Sequence, residues 1–214
     1  MDPGTYTVVE GTPIELDWVH TTPTSVDVTL TTDDNKSVSF GNVCLGPGGG
    51  LTLGFWSNKN GQKLETSADF TFLNSLCLRN ATGGHQTFST TLSTAKTQLN
   101  TWLSNATATN MAYMLSAQLA TMELNVRHGF VSGTALVYAP QLSACGTVAG
   151  LSSLGFISIN DLMTAAAASL CADGYTLSGN PDRACQEALK TALDDANNNL
   201  NFTQSSPCTF SFGN

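Results

Sequence analysis

The sequence predicts an α+β domain in which a small antiparallel sheet, made of an N-terminal meander and a C-terminal strand, packs on four or five helices and is braced by disulfides. Three observations predict it. The first forty residues alternate apolar and polar side chains with period two. From Asp69 onward the period becomes helical. Six cysteines stand far apart, at Cys44, Cys77, Cys145, Cys171, Cys185 and Cys208. The chain divides into an N-terminal β segment, residues 1–42, and a mainly helical body with a closing strand, residues 43–214.

Taken in order, Ile14, Leu16 and Trp18 share one face of a strand while Glu15 and Asp17 share the other; Val26, Val28 and Leu30 repeat the pattern. Asp33, Asp34 and Asn35 form a turn, and Ser37 to Phe40 returns as a third strand. So few strands cannot bury a face alone, so the meander needs the rest of the chain or another subunit. The run Gly46-Pro47-Gly48-Gly49-Gly50 is either a hinge or a tight loop. Leu51 to Trp56 is expected to open no helix, which removes a nucleotide-binding reading of the glycines.

Phe70, Leu73 and Leu76 suit a short helix; Leu92, Leu99, Trp102 and Leu103 suit a second. The clearest helix is capped by Thr109, carries Met111, Leu115, Leu119, Met122 and Val126 at steps of three or four, and ends at Gly129. A loop containing Pro140 and Cys145 follows, then a helix from the cap Ser158 through Ala172. Asn180-Pro181 opens the last helix with Pro in its first position, and Ala184, Leu189 and Leu193 face inward. Cys208 to Phe212 alternates again and is expected to return as a strand.

Composition narrows the function classes. Only 11% of residues are charged, against about 25% in an average domain, so Ser, Thr, Asn and Gly must carry solubility. The net charge of −8 and eight scattered Lys and Arg disfavour nucleic acid and anionic membranes as partners. No run reaches the roughly 18 apolar residues of a spanning helix. Widely spaced, even-numbered cysteines read as disulfides and place the protein outside the cytoplasm, secreted or at the cell surface. Met1 to Gly4 lacks the basic and apolar regions of a signal peptide, so an exported form is expected to have lost its leader. The preferred pairing is Cys171 with Cys185, which bracket a Gly-containing loop; Cys44 with Cys77 and Cys145 with Cys208 follow by elimination.

At Gly54-Phe55-Trp56, and again through Ala108 to Leu119 and Ala188 to Phe202, the chain resembles a functionally uncharacterised group of exported bacterial proteins carrying a Gly-[Phe/Tyr]-Trp motif and a long Met/Ala-rich helix. The likeness covers most of residues 44–205. The group commonly places Lys and then His after the Trp, where this chain has Ser57-Asn58-Lys59-Asn60. The resemblance implies export and surface display, and no catalytic residue.

His20, His85 and His128 are dispersed and lack the i, i+4 spacing of a helix-borne metal site, so no metal and no cofactor is expected. His128 closes the central helix, where the dipole favours its cationic form. Gly150-Leu151-Ser152-Ser153-Leu154-Gly155 has one residue too many for a nucleophile elbow. Glu65, Asp69 and Glu123 are the carboxylates from which a glycosidase pair would be drawn, with their separation undetermined. Trp18, Trp56 and Trp102 each offer a face to a sugar or to the core. Trp56 lies beside the amide-bearing Asn58, Asn60 and Gln62, which form with it the ligand-binding candidates, although an indole pinning a loop to the body is the simpler role. Asn35, Asn80, Asn105 and Asn201 each begin an N-x-[ST] tripeptide. The expected function is a non-catalytic structural, adhesive or assembly-forming surface protein, its partner itself or a cell-surface polysaccharide; the alternative is a protein that binds or hydrolyses polysaccharide.

Overall fold

The protein is α+β. A computed structural model describes residues 2–11 and 17–204. Among them the elements are strands β1 (Gly4–Val9), β2 (Trp18–His20), β3 (Ser25–Leu30) and β4 (Asn42–Gly46), then helices α1 (Leu53–Trp56), α2 (Lys59–Leu64), α3 (Ser67–Leu73), α4 (Leu92–Ser104) and α5 (Met111–Arg127). A hairpin of β5 (Leu136–Tyr138) and β6 (Phe156–Ser158) encloses a 3-10 helix, Pro140–Cys145; α6 (Ile159–Ala172), α7 (Arg183–Asn197) and β7 (Phe202–Thr203) complete the chain.

Two sheets form instead of one. β1 and β3 make a two-stranded antiparallel ribbon in which Tyr6 faces Val28. The second sheet has the order β2-β4-β7-β5-β6 and is antiparallel throughout. The short β7 joins the N-terminal β2–β4 pair to the β5–β6 hairpin, which the sequence reading left as loop. Ser37 to Phe40 enters no strand, and β4 takes the returning role expected of it. Of the first expected strand, Ile14 and Leu16 lie outside the described residues, as does the expected tail strand Cys208 to Phe212.

The glycine run is a tight loop. Asn199 Oδ1 accepts from the backbone of Gly48 at 3.1 Å and Gly50 at 2.7 Å, and its Nδ2 donates to the Gly50 carbonyl at 2.7 Å. Gly49, at φ +91°, has its Cα so near Phe130 that a Cβ would sit 2.0 Å from the Phe130 carbonyl oxygen. Helix α1 starts straight after this loop, contrary to expectation, because Thr52 Oγ1 caps it by accepting from Phe55 N.

Helix α5 is the hub. The stripe legible in the sequence is only part of it, since residues on every side are buried, from Met111 and Tyr113 to Leu124 and Asn125. Its buried polar side chains, Ser116, Gln118, Thr121 and Asn125, all find partners within the core. Gln118 bonds Asp194 and Asn197 on α7, and Ser116 receives the Arg79 amide at 2.8 Å. The cap differs from expectation: Asn110, not Thr109, precedes the helix, and the first-turn amides of Met111 and Ala112 are held by the carbonyl and hydroxyl of Thr176, far along the chain. Gly129, at φ +73°, ends the helix as its sequence position predicts.

Ser158 caps α6 as expected, accepting from Asp161 N. The last helix begins at Arg183; Pro181 falls in the preceding turn, where Asn180 Oδ1 accepts from Asp182 N. Leu76 likewise falls beyond α3, which a Thr66–Asp69 capping box starts.

The disulfide pairing is corrected. Cys77 joins Cys171 and Cys145 joins Cys185, with Cα separations of 5.2 and 4.5 Å. Cys171 on α6 and Cys185 on α7 thus reach different partners, and the turn between these helices inserts Thr176 beneath the start of α5. No described cysteine is free, Cys44 included; Cys208 lies outside the described residues.

Candidate functional site

Trp56 presents no face to solvent. It is 0% exposed, its indole N–H donates to Asn125 Oδ1 at 2.9 Å, and its ring lies 5.2 Å from His128 and 5.4 Å from Phe55. Asn125 in turn donates to the Leu51 carbonyl and to Asn197 Oδ1. This is the anchoring role. The expected neighbours of Trp56 do other work: Asn58 caps α2 by accepting from Asn60 N at 2.7 Å, Asn60 is exposed, and the half-buried Gln62 offers its carbonyl to Lys96. The four residues therefore form no joint ligand site around an open indole.

Asp69, through His128, and its neighbour Glu65 lie close to this anchor, whereas Glu123 stands on α5 with Arg127 as its charged neighbour. Asp69 accepts from the Thr66 amide and hydroxyl at 2.9 and 2.8 Å, from Arg127 Nε at 3.0 Å, and lies 3.1 Å from His128 Nε2. Burial alone would raise its pKa; the Thr66, Arg127 and His128 interactions outweigh burial and hold it below the usual carboxylate range. Glu65 is 3% exposed and neither carboxylate oxygen has a hydrogen-bond partner. Burial pushes it up to about 7, with Lys96 pulling down and Asp69 adding a smaller upward push. Burial likewise raises Glu123 to about 7, opposed by Arg127. A depressed and a raised carboxylate side by side are the usual electrostatic mark of an acid/base pair. Here both are enclosed, and Asp69 is committed to four partners.

The histidines stand apart. His20 Nδ1 is 3.0 Å from Glu10 Oε2, His85 Nε2 is 2.6 Å from the Leu76 carbonyl, and His128 meets Asp69. Among the described residues no group of three His, Cys, Asp or Glu has the geometry of a metal site. Of the glycan tripeptides, Asn201 is buried, with its amide donating to the Ala192 carbonyl at 3.2 Å; Asn35 and Asn105 are exposed, and Asn80 is tied into a turn with Thr82 and Gly84.

A cleft lies elsewhere among the described residues. It opens between β2 with the turn that follows it and the β5–β6 hairpin, has a volume of about 770 Å³, and is lined by Trp18, His20, Tyr138, Ser143, Ser152 and Ser153 among others. Trp18, one of three tryptophans read as offering a face to a sugar or to the core, is half-buried here. Tyr138 and the serines were not legible as candidates, although the Gly150–Gly155 run that failed as a nucleophile elbow supplies one wall. That wall is fixed: Ser152 N donates to the Phe156 carbonyl at 2.8 Å, Phe156 N donates to Ser152 Oγ at 2.9 Å, and Ala139 N donates to the Gly155 carbonyl at 2.8 Å. Gly155, at φ +87°, lets the loop close onto Pro140, whose Cα would meet a Cβ there at 2.9 Å.

A second feature sits beside the cleft. No described residue before Cys44 is buried, and the β1–β3 ribbon pairs with no third strand among the described residues. Val8 and Val9 on β1 are 36% and 63% exposed.

Fold and disulfides together define a disulfide-braced α+β protein, which is consistent with an oxidising, extracytoplasmic setting. No described helix is long and apolar enough to cross a membrane. Comparison with protein-family models, curated proteins and solved structures found no match to this chain.

Proposed function

We propose that the protein is an exported surface protein, of structural, adhesive or assembly-forming type, that acts by association instead of catalysis, in keeping with its Gly-Phe-Trp resemblance. The observation that carries this reading is the β1–β3 ribbon. Two strands alone are marginal in water, and here neither face is buried. Unpaired strand edges recruit further strands, so a ribbon of this kind gains stability by adding a strand from a second copy. Charge tunes the contact. Residues 1–46 hold seven of the sixteen Asp and Glu but only one of the eight Lys and Arg, so edge-to-edge pairing brings carboxylates together. Salt near physiological strength, with a Debye length of about 8 Å, relieves that repulsion.

The test is sedimentation velocity across concentration and salt. Association that strengthens with salt and disappears in Val9→Lys, with an unchanged melting temperature, is the expected result. A full-length chain that stays monomeric at every concentration, or a 1–42 deletion that associates as before, overturns the reading.

The rival reading, a polysaccharide hydrolase using Trp56 and nearby carboxylates, has the less support: the indole is closed off and the carboxylates beside it are enclosed. Its binding half is better placed in the cleft.

A further inference from the structure

We propose that the cleft between β2 and the β5–β6 hairpin is a binding site for a neutral carbohydrate. Its volume of about 770 Å³ falls inside the range of roughly 300–1,000 Å³ typical of small-ligand sites, and it lies at a junction between two parts of the chain, where such sites concentrate. The chemistry of the lining selects the ligand class. No Asp, Glu, Lys or Arg is among its described lining residues. His20 stands in the wall, but its Nδ1 is 3.0 Å from Glu10 Oε2, so any charge it carries is matched there, and a phosphate, carboxylate or ammonium finds no unmatched counter-charge among the described lining residues.

What the cleft offers is rings and hydroxyls. Trp18 and Tyr138 stand in its wall, and aromatic rings of this kind are the surface on which the C–H face of a pyranose lies. Ser143 and Ser153 give hydroxyls, each able to donate once and accept twice, and Ser152, whose Oγ already accepts from Phe156 N, keeps its donor and one acceptor position, which suits a ligand with a hydroxyl on most carbons. The hydrogen bonds that fix the Ser152–Phe156 turn mean that this wall is formed before any ligand arrives, so little ordering is left to oppose binding.

Tryptophan fluorescence reports on this site selectively, since Trp56 and Trp102 are 0% and 5% exposed while Trp18 is half-buried in the cleft wall. The full-length protein is titrated with neutral oligomers of glucose and of N-acetylglucosamine, and in parallel with a sulfated oligosaccharide and an uncharged Gly/Ser peptide. The expected result is a saturable fluorescence change with at least one neutral oligomer and none with the sulfated one. Tyr138→Ala should weaken it about tenfold or more. Because Tyr138 also packs on Phe156 at 5.4 Å, Ser153→Arg is made alongside; it fills the cleft from an exposed loop position and should weaken binding as much at an unchanged melting temperature. No response to any neutral oligomer at millimolar concentration, a response to the peptide alone, or binding that survives Ser153→Arg overturns the assignment. Loss of ribbon-mediated association in Val9→Lys leaves this measurement untouched, so the two proposals fail separately.

Discussion

Replacing Glu65 by Gln is expected to stabilise the protein above neutral pH and to leave it nearly unchanged at pH 5. The carboxyl is 3% exposed, unpartnered, and raised from 4.5 to about 7, chiefly by burial. An unfolded chain releases this proton near 4.5, whereas the folded protein holds it until about 7. Between those values the folded state binds more protons, so stability falls as pH rises, starting above 4.5 and fully lost above 7. At about 1.4 kcal/mol per pKa unit the ceiling is about 3.5 kcal/mol. Gln has nearly the same shape and no charge, so Glu65→Gln should recover most of that amount at pH 8. For a chain of this size that is a rise in Tm of roughly 6–12 °C. Denaturant unfolding at pH 5 and pH 8, with disulfides intact, measures it. Some pH slope should persist in the variant, because burial also raises Glu123 to about 7. A variant less stable than the parent at pH 8, or one with the parent's full pH slope, would refute the assignment of a buried, protonated Glu65.

Further expectations follow from the packing. Asn199→Ala removes three hydrogen bonds from the glycine loop and places Ala at φ +62°, so a loss of about 3 kcal/mol is expected; Asn199→Gly should lose less, since Gly accepts that backbone. Asn125→Leu strands the Trp56 indole N–H in the core and should cost about 3 kcal/mol or more, read by thermal unfolding and by a shifted Trp emission. Peptide mapping of the unreduced protein should recover Cys77 linked to Cys171 and Cys145 to Cys185. With 94 residues between its ends, the first link contributes about 4–5 kcal/mol by loop-closure entropy, so the Cys77→Ala, Cys171→Ala double variant should unfold correspondingly earlier in denaturant.

Features written in short stretches of chain were legible. The Ser158 cap, the Gly129 stop and the apolar steps of α5 are local, because capping and helical period involve residues within a turn or two of each other. Oxidation of the cysteines was legible too, from count and spacing. Their pairing was not. The Gly-containing loop bracketed by Cys171 and Cys185 favoured joining them, but closing a longer loop costs only slightly more entropy, and the docking of α6 and α7 decides which sulfurs meet.

Trp56 shows the same limit at the candidate site. Its sequence neighbours are polar, yet successive helical residues point about 100° apart, so one turn of α1 sends the indole inward while Asn58 stays at the surface. The cleft was out of reach for a similar reason: Trp18 and Tyr138 are 120 positions apart, and only β7, pairing with both β4 and β5, brings their strands into one sheet. The sequence by itself determined the mixture of strands and helices, the oxidised cysteines and the sparse charge, all of which are sums over local or compositional terms. Tertiary structure alone decided which cysteines pair, that the glycine run is a latched loop, that Trp56 is core, and where a cleft opens, because each depends on contacts between segments that sequence order does not relate.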